Sequence, residues 1–400
     1  MNHKVVLCGA ILWCLVISGT AQVMPGLKTG AVTCGAERTG EYTSILRGVS
    51  VGVVANPTSR IGHRHLVDSL LGMGIRIGRV FAPEHGFRGE AEAGEEIQGG
   101  KDVKTGLSVV SLYGNHRKPT PEDMKGLDWV VFDIQDVGVR FYTYISTLHY
   151  VMEACAEHSI PLLVLDRPNP NGFYVDGPVL DTAFRSFVGM DLVPVVHGLT
   201  IGEYALMVNE EGWLGGGRKC ELKVIPCLGW DHQTEYILPV QPSPNLPDQI
   251  SVYLYPGLCF FEGTVFSVGR GTRFPFQVYG HPEGVGSFSF TPVSIPGVSL
   301  RPAHEGKVCH GRDLRKTGIS QFAESRSLVL DWVIEAYRGF GKKEAFFNNY
   351  FNTLAGTEQL RRQITEGKPV GEIRKSWEKD LIQYRLIRKK YLLYPDGEPI

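Results

Sequence analysis

The stretch WVVFDIQDVGVRFYTYISTLHYVMEAC, residues 129–155, changes character twice. Residues 129–133 are a short apolar run ending in a carboxylate. Residues 134–143 are polar, aromatic and glycine-bearing in turn. Then Ile145, Leu148, Met152 and Cys155 recur at the spacing of one helix face. An apolar strand followed by a helix is the repeating unit of a parallel sheet covered on both faces.

The same unit recurs on either side. Residues 51–55 (VGVVA) predict a buried strand, and 65–72 a helix with Leu66 and Leu70 on one face. Further strands are expected at 75–82, 108–112, 161–165, 193–196 and 222–225. Thr120-Pro121-Glu122-Asp123 opens a helix, with a threonine cap, a proline in the first turn and acids against the dipole. Thr200-Ile201-Gly202-Glu203 is a capping box. The fold class is therefore α/β, with a Rossmann-like parallel-sheet domain over 46–235. No GxGxxG follows the first strand, so a dinucleotide is not implied. After 235 the texture shifts to clustered prolines (PVQPSPNLP, 239–247) and aromatic, glycine-rich sequence. Short strands are expected through 310, then helices at 326–338, 342–354, 357–365 and 370–393. This predicts a second α+β domain over 236–400.

The N-terminus reads as an export signal over 1–21. Lys4 precedes an apolar run to Ser18, and Gly19-Thr20-Ala21 supplies small residues for cleavage. That run is short of the ~20 apolar residues a span needs. Residues 22–45 show no apolar period and read as a linker. An exported chain, periplasmic or secreted, with no stable membrane insertion after cleavage, is expected. The formal net charge of -1 over 400 residues excludes a basic field aimed at nucleic acid. Of 8 cysteines, Cys8 and Cys14 fall within the signal. The rest form no CxxC pair. An oxidising compartment permits disulfides, but spacing does not assign them, and Cys155 reads as a core thiol.

In open parallel sheets, ligands bind beyond the carboxyl ends of the strands. Every predicted strand delivers polar groups there: Asn56; Glu84, His85 and Arg88; Tyr113; Asp133, Gln135 and Asp136; Asp166, Arg167 and Asn169; His197. Glu84, directly after a buried strand, is expected to be partly desolvated, as a general acid requires. The alternative is a loop pairing with Arg88. Glu95 is the one further site candidate in the acidic run 90–96. Asp133 and Asp136 suit a second catalytic carboxyl or sugar binding; alternatively Asp133 pairs with Arg140 or Arg167, and Asp136 caps. His197 could act as a base or a donor to substrate, or cap the turn before the helix. Tyr142 suits sugar stacking or core packing. In the second half Asn245, Glu262 and Arg270 stand out, because glycines around Arg270 let backbone approach a ligand and arginine grips carboxylates. Arg270 tied to Glu262 is the structural alternative.

Several motifs together resemble one family. They include PEHGFRG at 83–89, DIQDVGVRFYTYIST at 133–147, LDRPNPNG at 165–172, HGLTIGE at 197–203, PSPNLP at 242–247 and GRGTRFPF at 269–276. The chain resembles the YbbC/NamZ-type exo-β-N-acetylmuramidases, long catalogued as a domain of unknown function, from about residue 48 to 395. The resemblance implies release of N-acetylmuramic acid from the non-reducing ends of peptidoglycan fragments, with a catalytic glutamate in PEHG, here Glu84. It also implies a Rossmann-like domain joined to a smaller C-terminal domain, with the active-site cleft between them; no cofactor or metal is expected. Two departures are visible: the usual NxTG turn reads Asn56-Pro57-Thr58-Ser59, and GRGTTRPF reads GRGTRFPF. The rival readings are a sugar-binding module without turnover and a metal-dependent hydrolase built on Asp133, Asp136, His85 and His197.

Overall fold

The computed structural model describes residues 24–89 and 100–397. Seven strands build one sheet: β1 (Ser50–Ala55), β2 (Arg76–Ala82), β3 (Gly100–Lys101), β4 (Ser108–Ser111), β5 (Trp129–Asp133), β6 (Leu162–Leu165) and β7 (Leu222–Ile225). Their order is β7-β6-β5-β1-β2-β4-β3, parallel throughout except β3 against β4. β1 lies central and wholly buried. Val51, Val53 and Ala55 share one core with Val80, Val131, Leu163 and helix α1 (Leu66–Gly72). Val54 points the other way, to Phe81, Phe132, Val164 and helices α2 (Tyr144–His158) and α3 (Ile201–Glu210). Each such side chain contributes about 1.5–3 kcal/mol of burial. That two-sided burial is why these strands read as continuous apolar runs.

Two expectations in the first half need correction. The strand expected at 193–196 is not part of this sheet. Pro194–Val196 pairs antiparallel with Asp176–Val179 in a separate ribbon. Its burial comes from its ribbon partner and from the chain after β5, where Val139 bridges Val196, rather than from parallel neighbours. Residues 24–45 are not a free linker either. Met24, Cys34, Ala36 and Tyr42 are buried. Gly35 N donates to Asp166 O at 2.8 Å, and a Cβ at Gly35 would stand 2.2 Å from the Ile225 carbonyl oxygen. The segment is held largely through its backbone, which leaves no hydrophobic period to read. The expected signal, 1–21, lies outside the described residues.

In the second half, helix α4 (Gln249–Leu258) occupies sequence read as short strands. Asp248 and Ser251 form its capping box, and all eight residues from Ser251 to Leu258 are buried. A helix apolar all round has no polar face to mark its period. A three-stranded antiparallel sheet follows, ordered Val278–His281, Cys309–Asp313, Phe288–Phe290. Helices Asp331–Gly339, Tyr350–Ala355 and Gln359–Thr365 fall where expected, and Thr317–Ser325 is an addition. The last helix, α5 (Val370–Arg388), turns back onto the first half. Its Trp377 Nε1 donates to Asp176 Oδ1 at 3.1 Å, and Tyr384 OH to His197 O at 2.7 Å. One hydrophobic core runs through both halves.

Candidate active site

Glu84 follows β2 by two residues, on a tight turn closed by Gly86 N donating to Pro83 O at 3.0 Å. His85 takes a left-handed φ of 72°. For a non-glycine residue this costs on the order of 1–2 kcal/mol, and such strain concentrates at functional sites. The turn leaves Glu84 half-buried. Thr143 Oγ1 donates to Glu84 Oε2 at 3.2 Å, and the Tyr113 hydroxyl also bonds to it. Burial, then the Glu84 charge, raise the Tyr113 phenol above its ordinary range, so it remains a donor. His85 Nε2 meets Ser243 Oγ at 3.2 Å, linking the turn to the second half.

Two cavities share Glu84 in their walls. The smaller, about 60 Å³, is lined by His85, Phe141, Tyr142, Ser243, Asn245 and Arg270, among others. The larger, about 360 Å³, adds Tyr113, Arg117, Phe187, Glu262 and Tyr350. Tyr142 packs edge-on against Tyr144 and Tyr255, with centroids at 4.9 and 5.8 Å, and its hydroxyl donates to Pro242 O at 2.7 Å. Arg270 Nε donates to Glu262 Oε1 at 2.6 Å, and its guanidinium lies 4.9 Å from the Phe276 ring. The structural alternatives named for Tyr142 and Arg270 therefore both hold, yet both residues face the cavities. Wider clefts, each about 490 Å³, lie beside α5 and at the Arg88 cluster, and neither includes Glu84.

The structure thus brings together Glu84, His85, Tyr113, Tyr142, Asn245, Glu262 and Arg270. Other expected site residues are elsewhere. Asp133 is fully buried and grips Arg167 through two hydrogen bonds, at 2.6 and 2.9 Å. Asp136 Oδ2 accepts Gly138 N at 2.6 Å; burial pushes its carboxyl up to about 7. His197, 3.8 Å away, is pushed down to about 3 by burial and by Arg388 and Arg140, so the two do not form an ion pair near neutrality. Asn56 Oδ1 accepts from Thr58, and Gln135 donates to the carbonyls of Asp136 and Pro168. The crevice between β1 and β5, where the strand order reverses, is therefore filled by protein hydrogen bonds. Asp166 accepts from Thr200, Gly202 and Tyr394. Asn169 accepts from Asn171 and abuts Gly138, where a Cβ would stand 2.1 Å from Asn169 Oδ1. Arg140 donates to four backbone carbonyls. Arg88 pairs with Asp68 and Asp102, not with Glu84. Glu95 lies outside the described residues.

Thr143, Arg117, Phe187 and Tyr350 line the cavities but were not singled out from sequence. Thr143 sits one position beyond Tyr142 and carried a usable signal, since it follows a strand-end motif. Arg117, Phe187 and Tyr350 lie in segments with no motif. Among the described residues there is no group of three or more His, Cys, Asp or Glu side chains able to hold a metal ion.

A carboxylate held by two hydroxyl donors, aromatic walls and an arginine on the same cavity fit an α/β-fold enzyme acting on carbohydrate. The comparisons narrow this. Residues 51–250 match the family model "Exo-beta-N-acetylmuramidase NamZ, N-terminal", and 253–394 match its C-terminal counterpart. The peptidoglycan beta-N-acetylmuramidase NamZ of Bacillus subtilis (strain 168) is 39% identical over 374 residues, covering 88% of this chain and 89% of that protein. Crystal structures of two DUF1343 family proteins from Bacteroides fragilis align with TM-scores of 0.84 and 0.76, at 45% and 28% identity. They cover 92% and 91% of this chain, and 100% and 99% of theirs. The chain belongs to the exo-β-N-acetylmuramidase NamZ family.

Proposed function

We propose that this protein is an exported exo-acting glycosidase that releases N-acetylmuramic acid from the non-reducing ends of peptidoglycan fragments, with Glu84 as general acid and base. The observation that carries the proposal is the seat of Glu84: half-buried, hydrogen-bonded by Thr143 and Tyr113, and facing both cavities. Arg270 is the proposed grip for the lactyl carboxylate of muramic acid, with Tyr142 and Tyr255 as the apolar wall beneath the sugar.

Retaining and inverting glycosidases ordinarily use two carboxyl groups. Glu262 is the other carboxylate facing these cavities among the described residues, and it is engaged by Arg270. Asp133 and Asp136 face neither cavity. This favours the substrate's own 2-acetamido group as the second participant, with Glu84 protonating the leaving oxygen and then activating water. A muramide bearing a free 2-amine in place of the acetamide should then bind without turnover.

The decisive experiment incubates the protein with an N-acetylmuramic acid–N-acetylglucosamine disaccharide and follows the products by mass spectrometry. Free N-acetylmuramic acid is expected from the wild type, and Glu84→Gln should lower the rate by at least about 10³-fold with an unchanged circular dichroism spectrum. Full activity in Glu84→Gln would remove the assignment. Binding without released sugar by the wild type would favour a carbohydrate-binding module.

A further inference from the structure

We infer that Cys34 and Cys227 form a cross-strand disulfide that fastens the segment ahead of β1 to the chain following β7. The backbone sets the geometry. Thr33 and Leu228 stand opposite in an antiparallel bridge and exchange both hydrogen bonds, Thr33 N to Leu228 O at 2.9 Å and Leu228 N to Thr33 O at 2.8 Å. One step along, Cys34 faces Cys227 in the non-hydrogen-bonded position. There, opposed Cα atoms are about 4.5 Å apart and their side chains share a face. Disulfides span Cα separations of roughly 4.4–6.8 Å, and this ladder position falls at the short end of that range. The two thiols are close enough to influence one another's protonation. Cys34 Sγ also lies 3.3 Å from Tyr236 OH, and Cys227 Sγ donates to Asp166 O at 3.3 Å.

The six cysteines among the described residues are all buried thiols. Cys155 and Cys220 also touch. One is on α2 and the other in the loop before β7, however, with no shared ladder to aim their Cβ atoms. They provide an internal comparison.

The chemistry is thiol–disulfide exchange with a small-molecule or protein disulfide. The neighbouring Cys227 thiol, against the opposing effect of burial, and then Arg167 draw the Cys34 thiol below its ordinary value, which favours Cys34 as the attacking thiolate. Its sulfur bonds to one sulfur of the oxidant, and the other leaves as a thiolate. Cys227 then loses its proton to solvent and displaces the second oxidant thiolate from Cys34. The protein's two thiols become one disulfide, and the oxidant's disulfide becomes two thiols. The link would hold residues 24–46 against the strand-end shelf that carries Asp166 and Arg167. The inference draws on the export proposal only for the source of oxidant in the cell.

The test uses the full chain in two preparations, one recovered from a bacterial periplasm and one refolded from urea in a glutathione redox buffer. Each is alkylated under denaturing conditions without reductant, digested and mapped by mass spectrometry. A linked peptide pair containing Cys34 and Cys227, two hydrogens lighter than its separate parts, is expected in both. The oxidised protein should melt roughly 5 °C above the reduced one, and the double variant Cys34→Ala/Cys227→Ala should melt with the reduced form whatever the buffer. A link in the refolded sample alone would show that the pair can close in a redox buffer but stays open in the periplasm, and it overturns the inference for the exported protein. Alkylation of both cysteines in both preparations overturns the inference, as does a Cys155–Cys220 link in place of the expected one.

Discussion

At the scale of single residues, the site depends on one turn and one guanidinium. His85 carries its ring to Ser243 from a left-handed backbone. Replacing it by alanine keeps the Cβ and its strain, whereas glycine removes both. His85→Gly should therefore be more stable than His85→Ala by about 1 kcal/mol in urea denaturation. Equal stability, or the reverse order, would mean that the turn does not hold this conformation in solution. Arg270 supports a second prediction. A charge-assisted hydrogen bond contributes about 1.5–3 kcal/mol, so Arg270→Met should raise KM for an N-acetylmuramide by roughly 10- to 100-fold. An N-acetylglucosaminide, lacking the lactyl carboxylate, should gain no such penalty relative to its wild-type value. A uniform loss on both substrates would assign Arg270 to holding Glu262 rather than reading the substrate.

At the scale of elements, α2 and α3 are joined by a polar cluster of four residues. His149 Nδ1 meets Asp191 Oδ2 at 2.9 Å and its Nε2 lies 3.4 Å from Glu153 Oε1, while Tyr204 OH donates to Asp191 at 2.8 Å. Burial disfavours the imidazolium, but the hydrogen bonds it donates to Asp191 and Glu153 outweigh it and raise His149 from 6.5 to about 9. A raised histidine stabilises fully below its unfolded value and ceases to do so as pH climbs through its folded one. The shift corresponds to about 3 kcal/mol. Wild type should lose that much relative to His149→Gln between pH 6 and pH 10, read as the difference in unfolding free energy. A pH-independent difference would show that the imidazolium is not the buried species. These elements also show what was legible beforehand. The caps at Thr120 and Thr200 and the apolar strands are local signals, and each formed where expected. So did the strand end bearing Glu84. The rest depended on distant chain. Asp166 looked like a cleft residue until Tyr394, 228 positions on, was seen to occupy it. His197 is closed over by Tyr384, 187 positions away. Helix α4 and the segment at 24–45 lacked a readable period, one because every face is buried and the other because its backbone makes the contacts.

At the scale of the whole molecule, the site lies on a seam, with Glu84 and Thr143 from one half and Ser243, Arg270 and Tyr350 from the other. A seam positions catalytic groups only if the halves do not move independently, and one core running through both supplies that rigidity. Arg140 adds a polar clamp. Fully buried just beyond β5, it donates to Pro178 O and Val193 O through Nη1, at 2.8 and 2.9 Å, and to Leu354 O and Ala355 O through Nη2, at 3.1 and 2.7 Å. Arg140→Met keeps the apolar stem but removes a donor from four carbonyls, of which Val193 O retains Leu180 N at 3.1 Å. Each unsatisfied buried group costs about 1–3 kcal/mol, less where the structure relaxes. A loss of roughly 3–5 kcal/mol is expected, comparable to breaking a buried ion pair. Because the halves share one core, calorimetry should still record a single cooperative transition, shifted to lower temperature. Two separated transitions would mean that each half folds alone and that the seam is a hinge. A loss below about 1 kcal/mol would show that the four carbonyls find other donors, and that the apolar core alone keeps the Glu84 turn facing Arg270.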